Sequence, residues 1–176
     1  MPDLMTHLAT THVLRRAWEQ TRGNDFTERQ AALLYVGGCL PDLISRLPNI
    51  VTGFLFRSGL MHVDTAVKCG DMWPCFHAPL PTMLVAYLLV ILLPDTGRAY
   101  NFCLIIIASG LHFLLDALQK TFGDTGTAWF FPLSFKTASL GIFWPDEAIL
   151  SLPWLAALIV AWEIMRRHGR NVTRYD

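Results

Sequence analysis

The stretch Tyr100–Gln119, YNFCLIIIASGLHFLLDALQ, decides how the chain is read. It is apolar enough to sit in a bilayer, yet it carries His112 and Asp116 four residues apart. On a helix that spacing puts both side chains on one face, about one turn apart. An imidazole and a carboxylate so placed can share one divalent metal ion, as ligands at i and i+4 do in helical zinc motifs. They can equally hydrogen-bond to each other in a helix interface, and the stretch alone leaves both readings open. Ionisable groups at membrane depth are costly, so they rarely face lipid and usually mark a buried functional site.

Composition extends this reading to the whole chain. Of the 176 residues, 53% are hydrophobic and 16% charged, against about 25% charged in soluble domains. Mean hydropathy is +0.38. Fourteen basic residues cancel fourteen acidic ones, so no net charge points to nucleic acid. The length fits one domain over residues 1–176, and the expected fold is an all-α, polytopic helical membrane bundle. The four cysteines form no CxxC pair, which argues against a zinc ribbon or a redox motif. Cys39 and Cys103 lie in apolar runs and read as packing residues. Cys69 and Cys75 share a loop and could pair in an oxidising compartment. The opening MPDLMTHLATTHVLRR lacks a basic start followed by an apolar core, so no cleavable signal peptide is expected.

The elements follow from periodicity and breakers. Residues 3–22 read as an amphipathic helix with Leu4, Leu8, Leu14 and Trp18 as its apolar stripe. Gly23-Asn24-Asp25 ends it, and Thr27 with Gln30 forms a capping-box pattern for a helix over about 28–46. Gly37-Gly38 and Pro41 make that helix a close-packing, bent element. Residues 47–78 read as irregular, with a short interfacial helix in VTGFLFRSGLMHV. Apolar helices are expected over about 79–93 and 100–121, near the lower limit of the roughly 17–25 residues needed to span. Residues 122–146 read as a loop whose Trp129, Phe130, Phe131, Phe143 and Trp144 suit the headgroup level. A last helix over about 147–165 ends in a basic tail.

An antiparallel hairpin of the two apolar helices brings His77, His112 and Asp116 to the same side of the membrane. A second hairpin, from the first two helices, brings His7 and Asp42 there as well. Five candidate ligands then converge at one depth. The opposite side carries Arg15, Arg16, Arg22, Arg29, Arg98, Arg166, Arg167, Arg170 and Arg174; the site side carries Arg46, Arg57, Lys68, Lys120 and Lys136. By the positive-inside tendency, nine against five places the C-terminus in the cytoplasm and the site on the extracytoplasmic side of an inner or plasma membrane.

The pieces MPDLMTHL at 1–8, GGCLPDLI at 37–44, FHAPL at 76–80, LHFLLDAL at 111–118 and FFPLS at 130–134 occur in an order that resembles the YdjM-like family of membrane-bound metal-dependent hydrolases. The resemblance implies metal ligation by His7, Asp42, His77, His112 and Asp116. It also implies a distant likeness to zinc-dependent phospholipases C and nucleases on helical scaffolds. Phe76 and Ala78 stand where the family pattern has Thr and Ser beside its second His, and no His-Arg-Gly triplet precedes them.

Two or three imidazoles with one or two carboxylates suit zinc, as one ion or two, and manganese or iron also fit. An open coordination position lowers the pKa of bound water towards about 7, and Asp42 or Asp116 could take its proton as general base. A site at headgroup level favours a lipid phosphoester or another amphiphile. The alternatives are a non-catalytic metal- or lipid-binding membrane protein, a transporter component, or a purely structural bundle. Among the remaining residues, His12 points off the face of His7, and His62 with Asp64 suits a surface or supporting role. His168 reads as solvated, and Asp124 as a turn residue or a substrate-side group. Lys120 and Lys136 could attract phosphate or snorkel.

Overall fold

A computed structural model describes residues 4–94, 97–120 and 126–172, with no side-chain description at 145, 148, 149 and 167–172. Six α-helices follow in chain order: α1 (Leu4–Arg22), α2 (Glu28–Arg57), α3 (Val63–Met72), α4 (Pro79–Leu92), α5 (Arg98–Leu118) and α6 (Pro145–Val172). A 3-10 turn, Trp73–Phe76, joins α3 to α4. Among the described residues there is no strand, only isolated bridges at Gln119–Phe143 and Thr127–Ala138.

The entry into α2 is set by local chemistry. The Thr27 hydroxyl accepts from the Gln30 backbone N–H at 3.3 Å, and the Gln30 side chain accepts from the Thr27 N–H at 3.0 Å. The capping box satisfies N–H groups that a helix start leaves orphaned. Buried Glu19 holds the preceding turn: its carboxylate accepts from Arg15 and from the backbone N–H of Phe26, each at 3.0 Å, and pairs with Arg16. Burial alone would raise its pKa, but Arg16, the Phe26 N–H and Arg15 outweigh that and hold the carboxyl below the usual carboxylate range.

The helix over 28–46 is longer than its sequence predicts. It runs through Pro41 and Pro48 to Arg57 and takes in the first half of the expected interfacial segment, 51–57, while 63–72 is helical rather than irregular. Pro41 has no N–H for the carbonyl four residues back, which belongs to Gly37. That carbonyl accepts instead from the Ser109 hydroxyl of α5 at 2.8 Å. A partner on another helix replaces the missing bond, and α2 continues.

The two glycines let α2 approach two neighbours at once. A Cβ on Gly37 would collide with the Ile105 backbone of α5, coming 2.8 Å from its Cα, and one on Gly38 would collide with Thr11 of α1. α5 thus lies at the centre, packed against α2, α4 and α1, while α6 rests on α1.

Burial in this bundle is partly inside out. α1 buries polar residues most deeply: it turns Thr6, His7, Thr11 and Glu19 inward, half-buries Leu8, Leu14 and Trp18 of the expected stripe, with Trp18 against the core, and leaves Leu4 exposed. On α5 the inward stripe holds Asn101, Ser109, His112 and Asp116 among small and branched apolar residues, and Ile107 and Leu114 face out. Among the described residues, the fifteen buried polar or charged side chains match in number the buried apolar ones, Pro41 included. Large apolar side chains meanwhile stay exposed along α2, α4 and α6.

Of the described helices, α5 alone is long and apolar enough to cross a membrane. With fourteen residues α4 is short; joined to α3 and the 3-10 turn it passes the same test, but across a bend of 82°. Cys69 and Cys75 are not bonded to each other; all four cysteines are free, and the Cys75 thiol faces the Asp71 carbonyl.

Candidate metal centre

The helix order brings together the five residues singled out in the sequence. His7 comes from the end of the first turn of α1, Asp42 from α2 just past Pro41, His77 from the junction before α4, and His112 and Asp116 from the last two turns of α5. All five are buried, none more than 6% exposed.

Asp116 is the hub. Its Oδ2 lies 2.6 Å from His77 Nε2 and 3.2 Å from His112 Nε2, and its Oδ1 lies 3.5 Å from His7 Nε2. The His7 and His112 rings stack with centroids 3.6 Å apart. Three imidazole Nε2 atoms thus converge on one carboxylate. Asp42 sits on the other side of His77, with Oδ1 at 3.7 Å from Nδ1. The Ser45 hydroxyl stands 3.4 Å from the same nitrogen.

The tautomer of His112 follows from its partner. Its Nδ1 lies 2.8 Å from the Gly38 carbonyl, which can only accept, so Nδ1 carries the proton and Nε2 the lone pair. Metal-binding histidines commonly donate their second ring N–H in this way.

Several atoms in the cluster lack hydrogen-bond partners. They are both ring nitrogens of His7, Nε2 of His112, Oδ1 of Asp116 and both oxygens of Asp42. Arg46 Nε approaches Asp42 Oδ1 to 2.9 Å as an ion pair, without hydrogen-bond alignment. Buried unpaired polar atoms are rare and costly, and a cation would engage lone pairs of this kind. Zinc-to-nitrogen bonds of about 2.0–2.1 Å place tetrahedral ligands roughly 3.3 Å apart. The 3.2 and 3.5 Å separations of His112 and His7 from Asp116 match that spacing, whereas the 2.6 Å from His77 Nε2 is that of a hydrogen bond.

These buried groups can hold a metal ion: the sets His7, His112, Asp116 and Asp42, His77, His112 each bring ligand atoms within 4.8 Å of one another. Because His112 has one lone pair to offer, it serves a single ion.

Other candidates lie elsewhere. His12 Nδ1 meets the Tyr35 hydroxyl at 2.7 Å and its Nε2 faces Glu163, away from the cluster. His62 and Asp64 are exposed at the start of α3. Lys120 lies over the Trp144 ring at 5.3 Å, and Lys136 is exposed. Asp124 and the His168 side chain fall outside the described residues. Sequence inspection counted Arg46 only as a site-side charge and passed over Ser45. Their signal was available: Arg46 follows Asp42 by four residues, the same spacing that singled out His112 and Asp116.

No protein family, curated protein or solved structure gives a significant match to the chain.

Proposed function

We propose that this chain is a polytopic membrane protein of the YdjM-like kind that uses a bound divalent metal, zinc first, to hydrolyse a phosphoester of a lipid-like substrate near the membrane surface. The observation that carries the reading is the buried convergence of three imidazoles on Asp116, with ring and carboxylate atoms unpaired. The membrane part draws on the polar stripes turned inward on α1 and α5 and on the exposed apolar faces of α2, α4 and α6. The arginine asymmetry supports a site open to the extracytoplasmic side.

In this reading His7, His112 and Asp116 would hold the ion, and His77 would join them on giving up its 2.6 Å hydrogen bond to Asp116 Oδ2. A metal bound there supplies Lewis acidity and a water acidified towards neutral pH. Asp42, set back from the three Nε2 atoms, accepts the proton, and Arg46 balances its charge. The Gly38 carbonyl keeps the His112 ring in the ligating tautomer.

Elemental analysis of protein purified in mild detergent, with assays on a panel of lipid phosphoesters before and after chelation, tests the proposal. Stoichiometric metal and phosphoester cleavage that stops with chelator and returns with zinc are expected. Metal without turnover would leave a metal-binding module, and absence of both would reduce the cluster to interhelical contacts.

A further inference from the structure

Beside His77 a half-open cavity of about 480 Å³ indents the surface of the bundle. Ser45, Arg46 and Asn49 of α2 line it, facing Pro74 of the 3-10 turn and Phe135 and Thr137 of the segment after α5. We propose that this cavity binds the anionic phosphate headgroup of a membrane amphiphile and that Arg46 recognises it. The proposal deepens the hydrolase reading by naming where its substrate sits, and its test does not require turnover.

Charge supplies the first argument. With neutral histidines, Asp42 and Asp116 carry two negative charges and Arg46 one positive. A divalent ion turns that deficit into an excess of one positive charge, which an anion in the adjoining cavity offsets. Arg46 is placed to receive it. Its Nε is tethered 2.9 Å from Asp42 Oδ1, its side chain is 44% exposed, and it lines the cavity next to His77. A guanidinium presents a planar fork of N–H donors that matches phosphate oxygens.

Size and surroundings supply the second. The volume lies within the range of roughly 300–1,000 Å³ typical of sites for drug-sized ligands, more room than a lone phosphate needs. The chain on either side of the cavity-lining residues is apolar and outward-facing. Ile50 and Phe54, just beyond Asn49, are 67% and 66% exposed; Leu133 and Phe135 are 90% and 69% exposed. A headgroup entering between such surfaces arrives with its hydrocarbon chain beside them.

The test uses the full chain in non-ionic detergent, loaded with zinc. Dodecylphosphonate serves as an amphiphile whose P–C bond resists hydrolysis, and methylphosphonate as the free anion. Binding is followed by calorimetry, and zinc content is measured in every sample. Wild type should bind dodecylphosphonate saturably. Arg46→Ala should weaken that binding about 10- to 100-fold with zinc retained, Arg46→Lys should restore part of it, and Asn49→Trp, at an exposed position, should block it by filling the cavity. Equal affinity in wild type, Arg46→Ala and Asn49→Trp would overturn the inference. So would methylphosphonate binding as tightly as dodecylphosphonate, which would make the cavity a small-anion site. Saturable, Arg46-dependent binding in a protein that cleaves no phosphoester would uphold this inference and remove hydrolysis alone.

Discussion

His112 donates its Nδ1–H to the backbone carbonyl of Gly38 across 2.8 Å. The contact joins the close approach of α2 and α5 to the chemistry at Asp116, because the same ring then turns its lone pair towards that carboxylate at 3.2 Å. Fold and site share this bond, and several expectations follow from the arrangement around it.

Replacing His112 or Asp116 with alanine removes a converging ligand atom rather than a supporting one. Losing an outer partner already costs about 10–100-fold in metal affinity, so these variants should lose more. Elemental analysis should find wild type loaded and both variants nearly empty, with membrane insertion intact. Unchanged metal content in both would defeat the assignment.

The helix contact at Gly37 can be tested without touching a ligand. Gly37→Ala forces a Cβ against the Ile105 backbone, and such overpacking costs about 1–3 kcal/mol. Ser109→Ala leaves the Gly37 carbonyl without the hydroxyl it uses, at about 1–3 kcal/mol for a buried group stripped of its partner. In a chain of this size each kcal/mol is worth about 2–4 °C in Tm. Thermal unfolding followed by tryptophan fluorescence should show both losses.

How much of this was legible beforehand depended on the range of the interactions. The capping box at Thr27 and Gln30 and the His112/Asp116 pair rest on neighbours in the chain, and both came through with the expected geometry. The hairpin of α4 and α5 also brought His77 beside Asp116, as expected. The end of α2 was missed because Pro48, Gly53 and the aromatic residues beyond Arg46 read as irregular chain. Pro41, by contrast, was expected inside the helix, and what the sequence could not show there was the partner for the carbonyl it abandons. That partner is Ser109, 72 residues away. The inward face of α1 was misjudged for a related reason. Its leucines look like a core stripe, whereas the close approach of Thr11 to Gly38 of α2 becomes visible only when the two helices are packed.

Metal should stabilise the fold by mass action. An ion that binds only the folded chain adds about 2.7 kcal/mol when its concentration is 100 times Kd. Chelation should lower Tm in wild type and leave Asp116→Ala nearly unaffected. A chelator shift of equal size in both would place the bound ion elsewhere.

Acid should loosen the link between α1 and α2. The Glu19 carboxyl titrates below its ordinary value of 4.5 in the folded chain, so its stabilising effect is complete above about that pH and disappears as pH falls through the lower folded value. Between neutral pH and about 5 this group should contribute no change in Tm. Below that, wild type should lose stability more steeply than Glu19→Gln, which is already weakened at neutral pH. Parallel acid profiles for the two would assign the loss to other groups.

Gly38 and Asp42 stand one turn apart on α2, the first gripping a ring on α5 and the second facing His77. Dropping a single residue between them would swing the carboxylate about 100° around the helix while the grip stayed where it is. This short segment should therefore tolerate exchanges of side chain far better than changes of length, and natural variation in its spacing should be absent from any descendant that keeps the site.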